Sequence, residues 1–160
     1  MRQPPKHRIA EEAIKAWRLT AFLFLFIPIA ITIGAFILEH FVDFISIWIP
    51  IILIIVTIID VIVTPFVIPK LRWRRWKYEI LDQEIYIQHG ILIVTQSVIP
   101  MARVQHVDTK QGLILSNYQL ATLTITTAAT THEIPALREE EAANLRDLIS
   151  ELARVEQDDV

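Results

Sequence analysis

A chain of 160 residues, 53% hydrophobic and of positive mean hydropathy, leaves room for one soluble domain of about 85 residues beside its two long apolar runs. The formal net charge of −3 is unevenly spread, with +5 over residues 70–77 and −8 over residues 78–160, so the C-terminal part is repelled by an anionic leaflet and is disfavoured as a phosphoinositide reader. There is no cysteine, which excludes disulfides, thiolate metal sites and cysteine nucleophiles together.

Residues 1–18 read as a short cytoplasmic juxtamembrane segment. Pro4-Pro5 argues for a disordered start, and Ile9, Ala13 and Trp17 share one face of a short amphipathic helix while Arg8, Glu11, Glu12 and Lys15 turn elsewhere. Residues 19–69 follow as a transmembrane helical hairpin with spans at 19–38 and 45–68 and an outside loop at 39–44. The first span carries no charge and the second carries one, Asp60; each meets the roughly 20 apolar residues needed to cross a bilayer. The first run is too long for a cleaved signal peptide, and no small-residue cleavage site precedes the second.

The flanks orient the hairpin. Arg2, Lys6, Arg8, Lys15 and Arg18 precede it, Lys70, Arg72, Arg74, Arg75 and Lys77 follow it, and the connecting loop has only Glu39 and Asp43. Basic residues near span ends stay cytoplasmic, so both termini are expected inside a bacterial cytoplasmic membrane. The run Arg72-Trp73-Arg74-Arg75-Trp76-Lys77-Tyr78 interleaves cations and aromatics, a pattern that also suits nucleic-acid stacking. Next to a span it reads as a membrane-interface collar, with Trp17, Arg18 and Lys70 as its other members and no nucleic-acid partner.

From Trp76 onward the hydrophobic period changes to two. Strands are expected around 78–80 and 85–87, flanking the turn at 82–84, then at 91–99 after Gly90, at 104–109, 122–127 and 131–134. After Pro135 a helix begins with Glu139, Glu140 and Glu141 in its first turns, and Ala142, Leu145, Leu148, Ile149 and Leu152 form one apolar stripe. The stripe must be buried, and the open end of the sheet is the expected partner. The domain is bounded at 70–155, with an acidic, frayed tail at 156–160.

About seven strands capped by one helix is the architecture of a pleckstrin-homology (PH) domain. The stretch 103–112 (RVQHVDTKQG), then 120–128 (LATLTITTA) and 132–135 (HEIP), resembles the second bacterial type of PH domain, in the YdbS-like membrane protein family. The resemblance covers nearly the whole chain, including Lys15-Ala16-Trp17-Arg18 and the hairpin. It implies a two-helix transmembrane hairpin plus a small α+β cytoplasmic domain, a curled antiparallel sheet or partial barrel capped by a C-terminal helix. Where that family carries proline, a basic residue and Phe-Gly after the motif glycine, this chain has Leu113, Leu115 and Tyr118-Gln119. Family members tend to accompany a larger membrane relative with repeated domains of this type, which implies a hetero-complex; copies of this chain are a separate expected partner, and envelope stress or export the expected setting.

Catalytic constellations are weak. His106 and Asp108, two apart on a strand, share a face and can orient each other; His89, His106 and His132 lack ligand-like spacing for a metal. No phosphate loop or Ser/His/Asp set is present and there are only three glycines, so no enzyme and no cofactor are expected. Lipid reading through the basic first loop of eukaryotic PH domains is disfavoured, because the matching loop is taken to be Asp82-Gln83-Glu84. The expected function is a non-enzymatic, membrane-anchored interaction module. Its candidate surface is Arg103, Gln105, His106, Asp108, Lys110 and Gln111 beside Leu113, Leu115 and Tyr118, polar groups ringing an apolar centre. The competing expectation is that His106 and Asp108 satisfy buried backbone groups and the leucines pack under the C-terminal helix. A second function class, a transport or lipid-handling subunit, rests on Asp60, whose charge in a span should face a partner helix or be protonated; the competing expectation is a structural polar contact to Thr32, Thr57 or another subunit.

Overall fold

The computed structural model describes residues 4–42 and 46–158. Residues 43 and 44 of the expected outside loop, Arg2 of the leading flank and 159–160 of the tail lie outside them. The chain forms two compact units, one from residues 1–16 and 70–160, the other from residues 17–69.

The apolar unit is built from two long helices. The first comprises α1 (Ala13–Phe24) and α2 (Phe26–Phe41), interrupted at Leu25. Pro28 has no N–H for the carbonyl of Phe24 and its ring crowds that carbonyl, which accounts for a break three residues before it. The second comprises α3 (Trp48–Ile62), a π-helical turn (Val63–Val67) and α4 (Ile68–Arg75). Pro65 sits inside the turn, and the Ile68 N–H reaches back five residues to the Val63 carbonyl. The two helices are 29 and 28 residues long, few of their side chains are buried, and both run past the expected span ends. Thr32 and Thr57 join α2 to α3 through a 2.7 Å hydroxyl–hydroxyl contact. Because Thr32 donates to the Pro28 carbonyl at 2.9 Å, Thr57 is the donor of that pair.

The second unit is α+β. Strands β1 (His7–Arg8), β2 (Lys77–Ile80), β3 (Glu84–His89) and β4 (Thr95–Pro100) form one antiparallel sheet in that order. A 3-10 turn (Met101–Arg103) leads to the second sheet, β5 (Val104–Lys110), β6 (Leu120–Thr127) and β7 (Thr131–Arg138). A short helix α5 (Leu113–Asn117) links β5 to β6, and α6 (Glu139–Asp158) closes the chain. Among the described residues no ladder joins the two sheets, so the barrel is not closed. The core between the sheets and α6 holds Ile85, Ile87, Met101, Leu123, Ile125, Ile134 and Ile149, all fully buried. On α6 the buried line is Ala142, Ile149 and Ala153, while Leu148 of the expected stripe turns outward.

Several elements differ from expectation for identifiable reasons. Residues 4–12 are not the start of a helix but an extended strap. Two prolines disfavour a helical start, β1 pairs with β2 (His7 opposite Tyr78), and Pro5 and Ile9 are buried in the domain. The apolar hairpin is therefore inserted between the first and second strands of one sheet. The Asp82-Gln83-Glu84 turn joins the second and third strands, not the first two. β4 starts at Thr95 rather than 91, since Gly90 turns the chain with φ 123°. β7 continues through Pro135 to Arg138, which an edge strand tolerates because proline's missing N–H breaks no ladder bond there. At its irregularity Ala136 takes φ 54°, and its carbonyl accepts the Ala10 N–H at 3.1 Å. The tail is helical as far as residue 158.

Candidate interaction surface

β5 is an edge strand, and its register against β6 slips between Val104 and His106. The slip leaves Gln105 as an extra residue, so Val104 and Val107 both face the core although they are three apart. Arg103, Gln105, His106 and Lys110 are exposed as a result. The His106 Nε2 and Asp108 Oδ1 atoms lie 3.0 Å apart, and both side chains are well exposed. Among the described residues they pair with each other in solvent, and neither is seen to hydrogen-bond a buried backbone group.

Gln111 has a structural task. Its Nε2 donates to the Leu120 carbonyl at 3.1 Å and lies 3.4 Å from Glu139 Oε2, tying the end of β5 to the starts of β6 and α6. After it, α5 places Leu113 in solvent, 91% exposed, with Leu115 half-buried, so neither leucine is packed away as core. Tyr118 is half-buried over a cleft of about 660 Å³ that also takes in Glu12, Leu120, Arg138 and Ala143. There Arg138 Nη2 meets Glu12 Oε1 at 3.5 Å.

The nine candidate residues are spread along the 3-10 turn, β5, α5 and the turn after it, and several of them border different clefts. Arg103 and Gln105 line an apolar cleft of about 560 Å³ with Val98, Pro100, Ala129 and His132. Gln105 and His106 line a groove of about 360 Å³ against Arg146, Ser150 and Arg154 of α6. Arg146 and Arg154 are not expected in this surface from the sequence, where Arg154 reads only as a cation near the helix end, although a spacing of four through Ser150 puts all three on one helix face. Burial, with repulsion from His89 second, lowers the His132 pKa below its ordinary value. Among the described residues no three His, Cys, Asp or Glu side chains converge as metal ligands.

The collar is divided between tasks. Lys70, Arg72, Arg74 and Arg75 are exposed on α4, and Lys77 is half-buried at the start of β2. Trp73 donates its Nε1–H to the Ile9 carbonyl at 3.1 Å, with the Arg8 guanidinium 5.4 Å from its ring centre. Trp76 is only 8% exposed and stacks on His89 at 5.2 Å, so these two indoles bind the domain's own strap and strand. Trp17 and Arg18 are half-buried on α1, where the Arg18 guanidinium lies 5.3 Å from the Phe66 ring centre. In the second long helix Asp60 accepts from Thr64 one turn on, while Thr32 and Thr57 hold each other.

Comparison with known proteins agrees with this architecture. The family model described as Bacterial PH domain matches residues 20–153. The chain is 48% identical, over the full length of both, to the UPF0699 transmembrane protein YdbS of Bacillus subtilis (strain 168). It is 30% identical over 83 residues to the UPF0699 transmembrane protein YdbT of the same organism, covering 49% of this chain and 17% of that one. No solved structure matches. With two apolar helices, a four-plus-three strand unit capped by α6, and full-length similarity to a transmembrane protein, this chain is a membrane protein that belongs to the bacterial PH domain family, of the YdbS-like kind.

Proposed function

We propose that the chain is a non-enzymatic interaction module anchored in the bacterial cytoplasmic membrane. In this reading it crosses twice, keeps both termini and the PH-like unit in the cytoplasm, and joins a complex with a larger membrane relative of the YdbT kind. The charge distribution supports the orientation, since the basic residues flank the apolar hairpin on both sides and are absent from its loop. One observation carries the binding role: the exposed ridge of Gln105, His106, Asp108 and Lys110 running into a Leu113 that is 91% exposed. Except for the His106–Asp108 pair, none of these side chains has a hydrogen-bond or ion-pair partner among the described residues. A polar row beside an exposed aliphatic is the composition of an interface rim and anchor.

Site-specific photo-crosslinking tests it. A photoreactive residue at His106 or Leu113 of the full chain, co-expressed with the larger relative, is expected to give an adduct with it. One at Asp82, in the β2–β3 turn, is expected to give none. Adducts from position 82 alone would move the binding surface off β5.

A second reading, a subunit of a transport or lipid-handling complex, is favoured by Asp60. It sits just ahead of a π-helical turn, a distortion frequent at functional sites. Among the described residues its hydrogen bond goes to Thr64 of its own helix and none reaches α2. An Asp60→Asn chain that assembles normally but loses function would favour this reading. If instead Asp60→Leu weakens association and Asn does not, the carboxyl group acts as an assembly contact.

A further inference from the structure

The β3–β4 loop presents two of the most exposed aliphatic side chains of the domain, Leu92 at 95% and Ile93 at 82%. The turn is tightly built. Gly90 holds φ 123°, and a Cβ there would lie 1.8 Å from the Ile93 carbonyl oxygen, so the backbone folds closely on itself and pushes residues 92 and 93 outward. Register fixes which end of the sheet the loop occupies. Lys77 pairs with Gln88 and the Trp76 ring stacks on His89, so the loop emerges at the end of the sheet where the chain arrives from α4. That arrival carries Lys70, Arg72, Arg74 and Arg75 in the last turns of a long apolar helix and Lys77 just beyond it. Although the unit is acidic overall, no Asp or Glu occurs between Glu84 and Asp108.

We propose that the Leu92–Ile93 tip inserts into the headgroup boundary of the same bilayer that holds the apolar helices, as a second, non-covalent attachment of the domain. The occupant follows from chain continuity and charge: the loop lies at the end of the sheet that carries the basic collar, and the stretch from Ile85 to Val107 that holds it contains no acid for an anionic surface to repel. Two side chains on a turn are far too small for a stable protein interface, which needs about 800 Å² from each partner, whereas a lipid boundary requires no complementary pocket. The inference does not depend on which side of the membrane the domain faces.

The natural chain lacks cysteine, so Leu92→Cys, Ile93→Cys and, at the far end of the β2–β3 hairpin, Asp82→Cys can each carry an environment-sensitive fluorophore. The full chain is reconstituted in phosphatidylethanolamine–phosphatidylglycerol vesicles with nitroxide lipids in both leaflets. Emission from positions 92 and 93 is expected to shift to the blue and to be quenched severalfold more strongly than emission from position 82. Equal nitroxide quenching at all three positions overturns the proposal. So does a blue shift at 92 and 93 without nitroxide quenching, which would mean a protein, including a second copy of this chain, covers the tip.

Discussion

Ile9 is 2% exposed in a strap that local sequence assigns to a membrane-leading helix, so its truncation tests the discontinuous domain directly. Ile9→Ala removes buried methyl groups and leaves a void, a change that costs about 2–5 kcal/mol. That is a large part of the roughly 5–15 kcal/mol available to a domain. For a unit of roughly 100 residues each kcal/mol moves Tm by about 4–8 °C, so a fall of roughly 8–40 °C is expected. Lys6 is the contrast. Its ion pair with Glu79, at 3.2 Å, belongs to the same strap but has its ammonium in solvent. The Glu79 side chain is only 16% exposed, but with the ammonium in solvent the pair stays near the roughly 0–1 kcal/mol of surface ion pairs, so Lys6→Ala should shift Tm by less than about 8 °C. Thermal unfolding of the detergent-solubilised full chain, followed by tryptophan emission, reads both, because Trp73 donates to the Ile9 carbonyl. A Tm for Ile9→Ala within about 2 °C of the parent would refute the claim that the strap is part of the core.

Three further outcomes follow from the same geometry. Single cysteines replacing His40 and Glu151, both exposed, should be labelled by an impermeant maleimide in intact cells at position 40 only; labelling at 151 alone would reverse the topology. Gly90→Ala forces a Cβ to 1.8 Å from the Ile93 oxygen and should cost about 1–3 kcal/mol, read as a lower Tm; an unchanged Tm would contradict the turn. Folded His132 releases its proton more readily than the unfolded chain does, so the unfolded state binds more protons in that window and stability rises with pH until it is complete above about pH 6.5. The acid-side loss of Tm should therefore be smaller in His132→Gln, and parallel pH profiles for parent and variant would remove His132 from the account.

The chain's hydrophobic periods were sufficient for much of this protein. Two runs of about 20 apolar residues, the alternation of Leu123 and Ile125 with Thr122, Thr124 and Thr126, and the stripe containing Ala142 and Ile149 each report an element from local spacing alone. The polar row on β5 was legible for the same reason, since exposure follows from alternation once a strand is assigned. What sequence could not show is pairing. A two-residue strand such as β1 has no period to detect, and its partner lies about 70 residues on, beyond the whole apolar hairpin. The slip at Gln105 likewise exists only relative to β6, and Pro135 is tolerated in a strand only because β7 turns out to be an edge. Trp73 and Trp76 read as interfacial aromatics by position, yet one hydrogen-bonds the strap and the other stacks on His89. Local sequence determines which face of an element is apolar; which distant segment covers that face is decided by long-range packing and backbone hydrogen bonding, and only the tertiary structure records it.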